Sequence, residues 1–387
     1  MHAVTVTRKG ARRLEQGHLW VYAGDIADRG EAEPGEPVLV RDPSGRVLGV
    51  AHYSSTSAIT LRLLSRCEEP IGRDFYRRRL EAALNYRRRY VSETEAYRLC
   101  HAEGDLLPAL VVDRYAGCLA VQTLSQGMER AREDILSILE ELVRPDGIVL
   151  RNDVPRRQRE DLPLEVRVAR GTVPEEVLFR MNGLLFRADL IGGQKTGVFL
   201  DQRENYLAVR RYARGRALDC FASTGGFSLH IASRCESVEA VDTSERALEI
   251  ARRNAEANGL AGRISFREAD VFDLLTGYAV SGRRFDLVIL DPPAFAKSRG
   301  AVKKAREAYR TINFRALQLL GPGGVLVTCS CSHHFTEPLL LETVLGSARE
   351  LGKTLRLLER RYQSCDHPVL PAVPETLYLK CLVFEVL

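Results

Sequence analysis

Leu218-Asp219-Cys220-Phe221-Ala222-Ser223-Thr224-Gly225-Gly226-Phe227 is the stretch on which the fold turns. An apolar run of strand character empties into a loop of small residues, and the text resumes as the helical segment FSLHIAS, residues 227–233. Downstream the same rhythm repeats: VEAVD (238–242), ERALEIARRNAEAN (245–258), ISFREAD (264–270), DLVILD (286–291), KKAREAYRTINFRALQLL (303–320) and VLVTCS (325–330). Strands alternating with helices predict a parallel sheet covered on both faces, and no internal repeat competes with that reading.

In open sheets of this kind ligands bind outside the carboxyl ends of the strands. Asp219 stands at such an end, where it could accept from a ligand amine, and Gly225 and Gly226 let backbone approach a ligand closely. VEAVD places Asp242 at the end of the next strand, 23 residues after Asp219, where a carboxylate takes ribose hydroxyls. The G-x-G-x-x-G spacing that seats a pyrophosphate is absent, which argues against a dinucleotide. S-adenosylmethionine carries no phosphate and is cationic at sulfur, so an acidic strand end with few glycines suits it. Phe221, Ala222 and Thr224 line the same loop and Ser244 follows Asp242. Asp270 and Val271 close the third strand, placed for an adenine edge, although Asp270 also reads as a plain helix N-cap.

The fourth strand runs into Asp291-Pro292-Pro293-Ala294-Phe295. Two prolines after a buried strand fix the chain direction and hold Asp291 in a stiff turn beside the expected methyl donor. A base-binding carboxyl suits that place, with Pro292, Pro293 and Phe295 against the base; an acidic turn residue without a role is the bland alternative. The fifth strand leads to Cys329-Ser330-Cys331-Ser332-His333-His334 at the same sheet edge. Carbon 5 of a pyrimidine is a poor nucleophile until a thiolate adds to carbon 6, so a cysteine here implies a particular reaction. Two other readings remain: a metal cluster, which lacks the usual paired zinc spacing, and buried filler. Strand alternation would send residues 329 and 331 to one face, so spacing alone does not choose between the two thiols.

The rest of the chain bounds the answer. At 387 residues it exceeds one comfortable core, and its 45% hydrophobic content contains no run long enough for a membrane helix. The opening MHAVTVTRKGARRLEQ does not read as a signal peptide, and nine irregularly spaced cysteines suit a reducing compartment, so the expected location is the cytoplasm. Net charge is +5, carried mostly by arginine, which permits a nucleic-acid partner without requiring one. Short alternating runs from Val4 to about Cys67 predict a small β-rich domain. Next comes a helix, DFYRRRLEAALNYRRRYVS (74–92), whose arginines read equally as a solvated face or an RNA-contacting one. Two strands (107–115, 118–125), a helix (129–143) and further strands (147–153, 183–189) predict an α+β unit.

With these residues in view, the chain resembles the class I methyltransferases that make 5-methylcytidine in large-subunit ribosomal RNA, over nearly its whole length. Gly17-His18-Leu19-Trp20-Val21-Tyr22 looks like the start of their RNA-binding PUA domain. Glu103-Gly104-Asp105-Leu106-Leu107-Pro108 through Val112-Asp113-Arg114-Tyr115 is similar to their central α+β domain. Gly193-Gln194-Lys195-Thr196-Gly197-Val198-Phe199-Leu200-Asp201-Gln202-Arg203 matches the segment that closes the cofactor site. The resemblance implies a PUA domain over 1–70, a central α+β domain over 74–185 and a Rossmann-like methyltransferase domain over 186–387. It adds Lys195, Thr196, Phe199, Gln202 and Arg203 to the cofactor site and puts the nucleophile motif on Ser330-Cys331-Ser332, making Cys331 the nucleophile and Asp291 its catalytic partner. Many relatives carry a second cysteine after the Asp-Pro motif, where this chain has Pro293 and Ala294. Asp366-His367-Pro368 and Pro374-Glu375-Thr376-Leu377-Tyr378-Leu379-Lys380 resemble the family's C-terminal stretch, with no role attached. The implied partner is large-subunit ribosomal RNA, with no membrane and no metal, and a homodimer is compatible with all of this. Methylation of an exocyclic purine amine, and a non-catalytic RNA-binding assembly factor, are the alternatives.

Overall fold

The structure is a computed structural model of the chain and describes residues 1–193, 198–296 and 298–387. Gln194, Lys195, Thr196 and Gly197 therefore lie outside the described residues, and with them two of the expected cofactor contacts. The chain divides into two compact units, residues 1–179 with 188–198 and 365–376, and residues 180–187 with 199–364 and 377–387.

The first unit opens with a six-stranded sheet ordered β2-β6-β5-β4-β1-β3. Its strands are β1 (Ala3–Val6), β2 (Trp20–Tyr22), β3 (Ile26–Asp28), β4 (Pro37–Arg41), β5 (Val47–Tyr53) and β6 (Ile59–Ser65), with helix α1 (Arg8–Glu15) after the first. Alternation along β1 and β4 sends Val4, Val6, Val38 and Val40 into one small core with Leu14 and Val21. Helix α2 (Arg73–Tyr90) follows, then β7 (Ala96–His101), β8 (Leu110–Tyr115), β9 (Cys118–Thr123), α3 (Gln126–Arg130), α4 (Arg132–Val143), β10 (Gly147–Arg151) and β11 (Val166–Gly171), forming a five-stranded sheet in the order β11-β10-β9-β8-β7. In place of the helix expected over 129–143 there are two helices meeting at Ala131, the first starting earlier because Ser125 caps it through Met128 N.

The arginines of α2 divide by face. Arg73 and Arg77 pair with Glu141 and Arg78 pairs with Glu69, an arrangement of mutually satisfied surface charges. Arg87 lies on the buried face with Phe75, Leu80 and Leu84, where its guanidinium grips the Asp105 carboxylate and donates to the Asp366 carbonyl at 2.7 Å. Arg88 and Arg89 stay exposed. Arg77 and Arg78 are thus paired charges at the surface, and Arg87 is structural.

A two-stranded ribbon, β12 (Val177–Met181) and β13 (Leu184–Ala188), carries the chain toward the second unit. There α5 (Arg203–Arg210) precedes β14 (Arg216–Cys220), α6 (Gly226–Ala232), β15 (Ser237–Asp242), α7 (Glu245–Ala257), β16 (Ile264–Glu268), α8 (Val271–Val280), β17 (Phe285–Leu290), α9 (Val302–Leu319), β18 (Leu320–Ser330), α10 (Glu337–Glu350), β19 (Leu355–Arg361) and β20 (Lys380–Val386). The seven-stranded sheet runs β16-β15-β14-β17-β18-β20-β19. Neighbours from β16 to β18 pair in parallel, while β20 slots antiparallel between β18 and β19. Strand order reverses between β14 and β17, so the ligand crevice of such a sheet opens at their carboxyl ends. Helix α9 buries Ala305, Tyr309, Ile312, Ala316 and Leu319 at helical spacing against this sheet. Among the described residues no helix is long and apolar enough to cross a membrane.

Candidate active site

Residues at five strand ends build the site. Leaving β14, the backbone turns left-handed at Phe221 (φ 64°), Ser223 (φ 49°) and Gly225 (φ 86°), and two of these three carry side chains that disfavour such a conformation. Its neighbours hold the loop there: Ala222 N donates to the Val241 carbonyl at 2.9 Å, Ser223 N to Asp242 Oδ2 at 2.9 Å, and Asn254 Nδ2 to the Thr224 carbonyl at 3.2 Å. Gly226 is a close-approach glycine, since a Cβ there would stand 2.4 Å from Cζ of Tyr206.

Asp219 is 1% exposed, and only one of its oxygens is used: Oδ2 accepts from Ser228 N at 2.9 Å and Ser228 Oγ at 2.5 Å, while Oδ1 is buried without a partner. Burial pushes its pKa up to about 7 against the pull of the two Ser228 hydrogen bonds. Asp242 is half-exposed; Oδ1 accepts from Ser244 N at 2.9 Å and Oδ2 from Ser223 N, which leaves each oxygen a second lone pair. Ser244 caps α7. Asp270 is exposed and caps α8 through Phe272 N at 2.8 Å and Asp273 N at 3.3 Å, while Val271 is buried in the core. The N-cap role of Asp270 is therefore real, and its free lone pairs stay turned to solvent.

Across the switch point, Asp291 N donates to the Cys220 carbonyl at 3.3 Å, tying the Asp-Pro-Pro turn to the cofactor loop. Pro292 is buried, Pro293 exposed, and Phe295 is half-buried with its ring 4.9 Å from that of Tyr309 and 6.0 Å from that of Phe272. Register pairs Leu290 with Thr328, so Asp291 stands level with Cys329 and one step short of Ser330. Strand β18 ends at Ser330, and the alternation that would put both thiols on one face ends with it. Cys329 is fully buried opposite Cys381, its thiol pushed well up by burial and by that neighbour, whereas Cys331 is half-exposed beyond the strand. Tyr309 braces the turn: its hydroxyl bonds Ser330 Oγ at 2.8 Å and Ser332 Oγ at 3.3 Å, and Ser332 Oγ accepts from Ala296 N at 3.1 Å. His333 and His334 are exposed, and among the described residues no three Cys, His, Asp or Glu side chains converge on a metal position.

Two family models match the chain: a PUA-like domain over residues 4–66 and an S-adenosylmethionine-dependent methyltransferase over residues 171–385. Ribosomal RNA large subunit methyltransferase I of Erwinia tasmaniensis is 38% identical over 384 residues, 97% of either chain, and that of Shewanella amazonensis is 39% identical over 383 residues, again 97% of either chain. The chain belongs to the large-subunit ribosomal RNA methyltransferase I family. A methyltransferase solved with S-adenosylhomocysteine shares its fold at TM-score 0.87 and 20% identity over 100% of both chains, and a second from Streptococcus mutans does so at 0.85.

The methyl donor of this methyltransferase is S-adenosylmethionine, and the residues present fit it. The buried unpartnered Oδ1 of Asp219 is an acceptor, and the buried unpartnered Nε2 of Gln202 is a donor, the two groups that an amino-acid zwitterion needs. Gln202 accepts from Asn205 Nδ2 at 2.6 Å through its other atom. Phe199 is half-buried and its carbonyl accepts from the Tyr206 hydroxyl at 3.2 Å. Arg203 is buried and reaches Glu204 at 3.3 Å. Sequence reading missed Ser228, Tyr206, Tyr309 and Lys380. Tyr309 and Tyr206 look like ordinary core aromatics on helices, and Ser228 like a helix filler; only Lys380, a cation opening a buried final strand, carried a visible signal.

Proposed function

We propose that this methyltransferase modifies large-subunit ribosomal RNA at carbon 5 of a cytosine, by way of a thioether between Cys331 and carbon 6. The observation that carries the reading is the contrast between two thiols at one strand end: Cys329 is sealed in the core, while Cys331 lies beyond the strand, half-exposed, at the end of the strand beside the Asp291 turn. An amine methylation needs no thiol there. The names of the relatives, which are large-subunit ribosomal RNA methyltransferases, support the choice of RNA.

When bound, S-adenosylmethionine supplies the electrophilic methyl group. Asp219 and Gln202 would hold its amino-acid end, Asp242 its ribose hydroxyls, and Asp270 with Val271 its adenine edge. Asp291 binds N3 of the base and shares a proton with it as the thiolate adds to carbon 6, while Pro292 and Phe295 shape the wall on which the ring rests. The target must be unstacked or single-stranded to reach both groups, which gives the domains over 1–70 and 74–185 their purpose. A ribosomal RNA substrate also places the protein in the cytoplasm.

The test is to incubate the full chain with labelled S-adenosylmethionine and unmodified ribosomal RNA and to identify the methylated nucleoside. We expect 5-methylcytidine from the native protein and from Cys329→Ala, and none from Cys331→Ala. An N-methylated purine, or full activity in Cys331→Ala, refutes the thiol chemistry.

A further inference from the structure

Lys380 opens β20, and the antiparallel register sets it opposite Ser330. Its side chain reaches past the end of β18, where Nζ donates to the Ser332 carbonyl at 2.7 Å and to the Tyr378 carbonyl at 2.8 Å. The lysine thus brackets Cys331: its backbone pairs with the residue before the thiol and its amine with the residue after. Only 5% of Lys380 is exposed, and among the described residues no carboxylate pairs with it. Glu337, the acidic side chain on α10 whose charge it feels, is already engaged by Tyr362 Oη at 2.6 Å and by Arg360 at 3.5 Å.

A buried ammonium held only by two carbonyls is unusual, because burial penalises its charge while a neutral amine loses little. The neutral form carries two N–H bonds, and both carbonyls are then satisfied with the lone pair left over. Burial brings the Lys380 pKa down to about 8, against the opposing pull of Cys331 and Glu337, so both forms are populated near neutrality. The titratable groups around the thiol are Asp291 at the end of β17, Tyr309 on α9, Glu337 on α10, His333 in the following turn and Lys380 on β20. Tyr309 is pushed up to about 12 by burial, with Cys331 and Asp291 adding to the shift, so it stays a neutral donor to the serines. Of these groups Lys380 is the buried amine anchored on the carbonyl of the residue that follows the thiol.

We propose that Lys380 is the proton acceptor for Cys331. The S–H bond breaks with its proton passing to Nζ, the sulfur electron pair forms the bond to carbon 6, and the C5=C6 π pair moves into the ring toward N3, where Asp291 binds it. After methylation, carbon 5 loses its proton to solvent and the C–H pair re-forms the C5=C6 bond as the carbon–sulfur bond breaks with its electrons on sulfur, and the Lys380 ammonium returns its proton to the thiolate. The proposal rests on Cys331 as nucleophile but is tested without RNA or methyl donor.

The experiment alkylates the full-length protein with iodoacetamide across pH and follows the Cys331 peptide by mass spectrometry. The native midpoint is expected below the ordinary thiol value of about 8.5. Lys380→Gln keeps two N–H bonds for the two carbonyls but has no basic lone pair; it should raise the midpoint by about one unit, roughly a tenfold loss of thiolate at pH 7. Coincident profiles for native protein and Lys380→Gln overturn the proposal. If the variant does not fold, a native midpoint at or above about 8.5 overturns it just as well. Should Cys331→Ala still methylate RNA while Lys380→Gln shifts the alkylation profile, the thiol mechanism fails and the lysine–cysteine coupling stands.

Discussion

Two carboxylates at neighbouring strand ends are asked to do different things, and their surroundings say which. Asp242 is half-exposed with both oxygens steadied by backbone N–H groups and a second lone pair on each turned to hydroxyls. Asp219 is buried with an orphaned oxygen and a pKa of about 7, a charge held at a cost until a cation arrives. Between about pH 4 and 7 the folded protein carries a proton on Asp219 that the unfolded chain lacks, so stability falls as pH rises through that window and the penalty is complete above it. Asp219→Asn removes the charge while its amide oxygen still accepts from Ser228. Its melting temperature should therefore exceed that of the native protein at pH 8 and lie near it at pH 4; a difference that is larger at pH 4 contradicts the assignment. Asp242→Ala should weaken S-adenosylmethionine binding by about 1.5–3 kcal/mol, roughly 10- to 100-fold in Kd by calorimetry, as the loss of hydrogen bonds to a charged group demands. An unchanged Kd removes Asp242 from the ribose site.

At the scale of elements, the cofactor loop is a strained turn fixed from outside. Gly226→Ala would drive a methyl group into the Tyr206 ring, which is itself held at 4.7 Å from Phe227 and bonded to the Phe199 carbonyl. Displacing that ring costs about 1–3 kcal/mol of overpacking, and we expect a lower melting temperature together with weaker cofactor binding. A variant that melts and binds as the native protein does would show that the ring has room to move. This turn was legible in the sequence because a strand, small residues and a helix follow each other without a break, and Asp219, Asp242 and Asp291 each close an apolar run. The edge of the sheet beyond β18 was not legible. Strand β20 pairs residues 380–385 with residues 325–330 across α10 and β19, and nothing local announces which partner a final apolar strand will choose. The choice between Cys329 and Cys331 was hidden for the same reason, since it depends on where β18 stops. Helix α8 also escaped, because its buried face of Val271, Leu274, Leu275 and Tyr278 is short and its turn residues lie inside it.

For the whole molecule the question is how the basic residues divide between holding the protein together and holding RNA. Arg73, Arg77 and Arg78 are paired with carboxylates and Arg87 is locked inside, whereas Arg88 and Arg89 are exposed at the end of α2. Arg88 and Arg114 also line a cavity of about 520 Å³ with Tyr97 and Thr94. Filter-binding titrations against salt should therefore separate them. Arg88→Ala with Arg89→Ala is expected to flatten the slope of log K against log salt by about one to two units for the two charges, while Arg78→Ala leaves it unchanged. A flatter slope in Arg78→Ala, with none in the double variant, would place the RNA elsewhere.

The central claim is a covalent bond between Cys331 and the target base. Ribosomal RNA carrying 5-fluorocytidine tests it directly, because carbon 5 then has no proton to lose and the thioether cannot be released after methyl transfer. Incubated with S-adenosylmethionine and this RNA, the native protein is expected to form a denaturation-resistant adduct whose mass maps to the Cys331 peptide, with one added methyl group. An adduct on Cys329, or ready methylation of the same RNA with no adduct at all, would contradict the account.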